Sequence, residues 1–173
     1  MSSEDAVTQS SIGPTSSIGS TPSCLSCSRL SIVPDSVGRV PQLYPFLAVR
    51  DVSEAVEFYV RAFGESELWR IEGGAVAGLE IDGAPFFLAQ EFTPKTVAPL
   101  NAGHTTVRIE LFVDDPRDVH ARAIAAGARE GSPVQLHTHT TTGTRSSLRM
   151  LQGSVIDPDG HTWLIGTFLE PPS

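Results

Sequence analysis

No stretch of this sequence approaches the roughly 18 consecutive apolar residues that a membrane-spanning helix requires. Its first residues have neither the basic start nor the apolar core of a signal peptide. The expectation is therefore no membrane partner and a cytoplasmic location. Basic residues are scarce: 12 Lys and Arg stand against 20 Asp and Glu, for a formal net charge of -8 and a pI of about 5.0. Nucleic acid and anionic surfaces are then poor partners, while a cationic or neutral ligand is permitted. The imbalance belongs to the body of the chain, because 17 of the acidic and 10 of the basic residues lie within 41–173. Cysteine is limited to Cys24 and Cys27. A C-x-x-C pair makes a structural zinc site only with two further ligands, and a redox pair usually opens a helix. In its Ser-rich setting this pair reads as two solvent-exposed thiols in a flexible tail.

At 173 residues the chain is long enough to bury a core without disulfides or metal. Residues 1–40, rich in Ser, Thr, Gly and Pro, bury too little to repay the entropy of ordering and read as a disordered extension. Residues 41–170 read as a single domain. Leu43, Tyr44, Phe46, Leu47 and Val49 form a strand-like run, and Asp51 and Glu54 then give a capping-box pattern. Ala55, Val56, Tyr59 and Phe63 recur at helical spacing up to Gly64. Strand candidates follow at 67–71, 75–81 and 85–91, divided by Gly73-Gly74 and Asp82-Gly83. A linker at 92–104 leads into the same order again. Residues 105–113 alternate as a strand, Asp115 caps a helix with Pro116 at its first position, Gly127 closes it, and strands are expected near Val134, at 148–156 and at 161–168. The chain is thus an internal duplication of a βαβββ unit, with modules at 42–91 and 105–170, in the α+β class.

The second module's first strand separates into an apolar face of Val107, Ile109, Leu111 and Val113 and an opposite face of Thr106, Arg108, Glu110 and Phe112. The apolar face belongs under the helices, which leaves an Arg, a Glu and a Phe to line a cavity. Arg108 is suited to a ligand carboxylate, and equally to an internal ion pair with Glu110 or Glu91. Tyr44, Phe46 and Phe87 project to one side as flat surfaces for a planar ligand, with Trp69 a further wall; the alternative is that these rings plug the cavity. Among the histidines, His120 falls on a helix, His104 in the linker and His161 on the helix side of a turn. His137 and His139 fall in a Thr-rich loop, 137–147, expected to point their rings to opposite faces, and that loop is a candidate flap. No nucleophile triad, phosphate loop or dinucleotide fingerprint is present.

Several segments together resemble the vicinal-oxygen-chelate superfamily, which includes glyoxalase I, extradiol dioxygenases, fosfomycin-resistance enzymes and bleomycin-resistance proteins. They are Phe46-Leu47-Ala48-Val49-Arg50-Asp51 running into Ala55-Val56-Glu57-Phe58-Tyr59 and Ala62-Phe63-Gly64, then Arg108-Ile109-Glu110-Leu111-Phe112-Val113-Asp114-Asp115, Ala125-Ala126-Gly127-Ala128, and the D-P-x-G-H-x-W pattern of Asp157 to Trp163. The resemblance implies two modules paired into a cupped mixed sheet with helices outside. It also implies a divalent metal held by His, Gln or Glu from the first and last strand of each module. Counting from the matched segments places Tyr44, Phe87, Arg108 and Leu164 at those four positions, and Phe, Leu and Arg cannot coordinate a cation. The expectation is a metal-free cup with no cofactor, contacting a ligand through Tyr44, Phe46, Trp69, Phe87, Glu91, Arg108, Glu110, Phe112 and Leu164. The resemblance to bleomycin-resistance proteins implies a small-molecule-binding homodimer that sequesters an antibiotic or another partly aromatic ligand. Alternatives are a glyoxalase-like lyase or isomerase with an atypical metal site, a dioxygenase-related enzyme, a metal-free catalyst with Glu110 as general base, and a ligand-free association domain.

Overall fold

The computed structural model describes residues 42–64, 66–142 and 147–169. The extension at 1–40, with Cys24 and Cys27, lies outside the described residues, as does 143–146 of the expected flap. In chain order the elements are β1 (Phe46–Val49), α1 (Val52–Phe63), β2 (Ser66–Arg70), β3 (Val76–Ile81), β4 (Ala84–Gln90), α2 (Pro99–Ala102), β5 (Arg108–Phe112), α3 (Pro116–Ala126), β6 (Arg129–Thr140), β7 (Ser147–Ile156) and β8 (Thr162–Phe168).

The two long helices begin and end on local chemistry. Asp51 Oδ1 accepts the backbone N–H groups of Ser53 and Glu54 at 2.8 and 2.9 Å. Asp115 Oδ1 accepts those of Arg117 and Asp118 at 3.0 and 3.1 Å. Each carboxylate therefore satisfies donors that a first helical turn leaves open. Gly64 and Gly127 close the helices at φ 76° and 119°, in the region where residues with a Cβ are strained.

Both modules build the same sheet, β1-β4-β3-β2 in the first and β5-β8-β7-β6 in the second. In each, the first strand lies parallel to the last and the other neighbours are antiparallel. The duplicated βαβββ order and the α+β class expected from the sequence are present, and the described strands are hydrogen-bonded as two four-stranded sheets. Strand parity divides their residues. Leu47, Val49, Leu79 and Leu88 of the first sheet, and Leu111, Val155, Trp163 and Ile165 of the second, enter one core cluster with Tyr59 and Phe63 of α1 and Val119 and Ala123 of α3. The opposite face of each sheet is left for other uses.

Element boundaries differ from the expectation where only tertiary pairing sets them. β1 starts at Phe46 rather than Leu43, because Phe46 is the first residue with a partner, Phe87, in β4. β5 likewise starts at Arg108 opposite Thr162, so Val107, expected on the buried apolar face, is 64% exposed. The linker holds the one-turn α2. The largest difference is β6: His137, Thr138 and His139 pair with Met150, Arg149 and Leu148 of β7, and so stand in a strand rather than in a loop.

The Asp157 to Trp163 turn joins the two modules. The Asp157 carboxylate, buried, accepts from Tyr59 OH of α1 at 2.6 Å and from Trp163 Nε1 at 3.1 Å. Its other oxygen accepts the backbone N–H groups of Asp159 and His161 at 3.0 and 2.9 Å. Burial raises its pKa above the ordinary carboxylate range, against the opposing pull of His161 and these donors. Nearby, Asp159 Oδ1 accepts from both the backbone N and Nε of Arg50 at 2.9 Å, and His161 Nε2 donates to the Ala48 carbonyl at 2.8 Å. Removing the Asp157 acceptor would strand two side-chain donors and two backbone donors in the core. We expect Asp157→Ala to lower the unfolding free energy by about 3–5 kcal/mol and Tyr59→Phe by about 1–2 kcal/mol. Urea denaturation followed by circular dichroism measures both, and an unchanged midpoint for Asp157→Ala would show that the modules are joined elsewhere.

Candidate functional site

Phe87, on the face of the first sheet turned away from the core, is the centre of an aromatic shelf. The Tyr44 ring stacks on it at 5.0 Å between centroids, Trp69 meets it at 5.1 Å and 61°, and Phe46 meets it edge-on at 6.1 Å. The Tyr44 hydroxyl donates to the Gln42 side chain. The indole of Trp69 lies where a side chain at Gly78 would otherwise project: a Cβ there would sit 2.4 Å from Trp69 Cε2. Gly78 is therefore the vacancy that lets the indole lie across the sheet and reach Phe87. The expectation that these four aromatic rings share one side holds. They do not form a closed plug, since Phe46 remains 60% exposed.

The second sheet's corresponding face is polar at its centre. β5 presents Arg108, Glu110 and Phe112, with Phe112 stacked on Phe168 of β8 at 4.2 Å. Arg108, Glu110, Leu164, Gln152, His137 and His139 line one cavity of about 330 Å³. His137 and His139, expected on opposite sides, lie on the same side, because residues two apart on a strand share a face. Their rings are nearly parallel, 5° apart, with centroids separated by 6.2 Å. His137 Nε2 donates to the Gln152 carbonyl at 3.2 Å. The Gln152 amide nitrogen is buried and has no hydrogen-bond partner among the described residues. A second, larger cavity of about 610 Å³ lies between β1 and β5, where Phe46, Ala48, Arg108, Glu110 and His161 meet the linker. Arg108 and Glu110 line both.

Neither of the ion pairs considered for Arg108 is formed. Among the described residues the salt bridges are Arg50 with Asp159, Arg70 with Glu67, and Arg122 with Asp118. Glu91, expected to contact a ligand, instead accepts from the Ala98 backbone N at 3.0 Å and from Asn101 Nδ2 at 2.7 Å. It lies just past the last residue of β4, and its carboxylate folds onto the linker rather than into either cavity. Glu110, the candidate general base, has no hydrogen-bonded acid or base partner among the described residues. His120 is a core histidine, its Nε2 shared between the carbonyls of Ser132 and Ser154 at 3.0 and 3.3 Å.

The four positions that the resemblance assigns to metal ligands do not offer a ligand set. Tyr44 and Phe87 are engaged in stacking, while Arg108 and Leu164 share a cavity wall and supply a cation and a hydrocarbon. Among the described residues no three His, Cys, Asp or Glu side chains are grouped to hold an ion. Sequence reasoning passed over His137, His139, Gln152 and Phe168 as site residues. A period of two carried through the H-T-H triplet would have found the two histidines.

Comparison with known proteins agrees with this architecture. An uncharacterized protein of Mycobacterium tuberculosis (strain ATCC 25618 / H37Rv) is 34% identical over 134 residues, spanning 73% of this chain and 74% of that one. A Mycobacterium bovis (strain ATCC BAA-935 / AF2122/97) relative, also uncharacterized, is 34% identical over 82% of its length. Among solved structures, TioX from Micromonospora sp. ML1 is similar at a TM-score of 0.53 and 29% identity, over 74% of this chain and 100% of that one. An Arabidopsis thaliana gene product shares the fold at a TM-score of 0.53 and 22% identity, over 73% of this chain and 98% of that one. The profile of the Glyoxalase/Bleomycin resistance protein/Dioxygenase superfamily matches residues 41–165. With both modules, the parallel first and last strands and the Asp157 turn in place, this chain belongs to that superfamily.

Proposed function

We propose that the protein is a metal-independent small-molecule-binding protein that sequesters a partly aromatic ligand, of the antibiotic kind that gives part of its superfamily its name. The observation that carries this reading is the aromatic shelf of Tyr44, Phe46, Trp69 and Phe87. Its rings stack on Phe87, Gly78 gives Trp69 its place among them, and Phe46 at the edge is open to water while the other three are half-buried. Stacking between flat apolar groups is a means of holding a ligand that asks for no chemistry. The donor set supports metal independence, because the positions where family members hold an ion carry Tyr44, Phe87, Arg108 and Leu164. We extend the reading to a homodimer on the strength of the family alone.

The two tryptophans separate the ligand site from the fold. Trp163 is 2% exposed in the core, whereas Trp69 is part of the shelf. Titration with a panel of aromatic antibiotics and dyes is expected to quench Trp69 emission, and Trp69→Phe is expected to abolish that signal. Calorimetry showing no heat for any member of the panel would remove the proposal. Gly78→Ala should push the indole off Phe87 and weaken a responding ligand by about tenfold, a loss of about 1.4 kcal/mol. Equal affinity in that variant would show that the shelf is not the binding surface. Elemental analysis of protein purified without chelator is expected to find no stoichiometric Ni, Zn, Mn or Fe, and one ion per chain would overturn metal independence.

A further inference from the structure

The cavity on the second sheet has an excess of donors. Arg108 has no carboxylate partner among the described residues, although Glu110 stands two residues along the same face. The Gln152 amide nitrogen is buried in the same wall without an acceptor. A carbonyl oxygen only accepts, so His137 Nε2 carries its proton toward the Gln152 carbonyl, and the donors left unmatched are those of Arg108 and Gln152. His139 lies parallel beside it and lines the same cavity. The buried Gln152 amide donor lacks an acceptor among the described residues, and the exposed Arg108 guanidinium on the same cavity wall is free to turn to an acceptor from outside.

We propose that this cavity is an oxyanion subsite that holds the carboxylate of the ligand, with Arg108 presenting its planar fork and the Gln152 amide supplying the second donor. The fork geometry of a guanidinium matches two oxygens on one centre, which favours a carboxylate or phosphate over a single hydroxyl. Glu110 in the same wall favours the carboxylate, because a dianionic phosphate ester would add a second negative charge beside it. Arg108 also lines the larger cavity that contains Phe46, so a ligand that meets an edge of the shelf can also reach the guanidinium. The inference rests on the proposed small-molecule function and names the class of ligand: a planar aromatic body carrying one carboxylate.

The test compares three probes on the full chain at constant ionic strength, namely 2-naphthoate, its neutral amide 2-naphthamide, and 2-naphthyl phosphate. The acid is expected to bind about tenfold more tightly than the amide, with the phosphate between them. Arg108→Gln is expected to bring the acid down to the affinity of the amide while leaving the amide within about twofold of its original value. Gln152→Met should lower the acid alone by a smaller factor. Arg108 is exposed, and an unchanged denaturation midpoint would confirm that its variant is folded. Equal affinity of acid and amide for the parent protein, or an acid preference that survives Arg108→Gln, would overturn the oxyanion subsite while leaving the aromatic shelf standing. Binding of none of the three would count against both. Tightest binding by the phosphate would keep the oxyanion and discard the carboxylate.

Discussion

The carboxylate of Asp157 is the constraint on which the relation between the two modules depends. A buried charge of this kind costs several kcal/mol of lost hydration unless donors surround it. Here the donors come from α1, from β8 and from the turn itself. Tyr59 is a residue of the first module, so the docked first module supplies one of the four donors around the carboxylate in the second. The Arg50–Asp159 bonds and the His161–Ala48 bond repeat the same connection at the end of β1. Among the described residues no strand pairing crosses from one sheet to the other. The modules are joined by this polar turn and by the core beneath it, where Trp163 packs on Tyr59, Phe63 and Phe86 at 4.8–5.7 Å.

With the joint placed on the helix side, the opposite faces are free to carry chemistry, and they divide it. The first sheet offers rings, and the second offers hydrogen-bond donors with one carboxylate. The two sheets have equivalent topology, and the residues on their outer faces differ. The state of Arg108 belongs to this division: Glu91, the acidic candidate on the first module, is committed to the linker, and among the described residues the guanidinium has no salt-bridge partner.

Much of the fold was legible in the sequence because its signals are local. A helix cap needs only the residues around it, so Asp51, Gly64, Asp115, Pro116 and Gly127 could be placed correctly without any knowledge of the rest. The D-P-x-G-H-x-W turn was recognised as a pattern, but its role as a joint depends on Tyr59, which is 98 residues away from Asp157, and nothing local announces that. Strand starts at Phe46 and Arg108 were misjudged because pairing, not composition, ends a strand. The aromatic shelf was foreseen from parity, whereas the need for Gly78 under Trp69 was not, since it depends on the pairing of β2 with β3. His137 and His139 were lost to a Thr-rich composition that reads as a loop, whereas residues 137–140 here are the end of the twelve-residue β6. Glu91 was read as an extension of its strand's alternation, and the chain turns away one residue too soon.

The alternation of faces along the strands has a consequence for how such a protein can change over generations. Residues that build the core and residues that line the cavities occupy alternate places in the same short segments, so Ile109 and Leu111 pack with the core while Arg108 and Glu110 face the cavities. Mutation at every second position can therefore explore new specificity without touching the joint at Asp157 or the packing around Trp163. A scaffold with that separation can acquire a new ligand by a few substitutions and remain foldable at each step, which is a property of the lineage rather than of any one molecule in it.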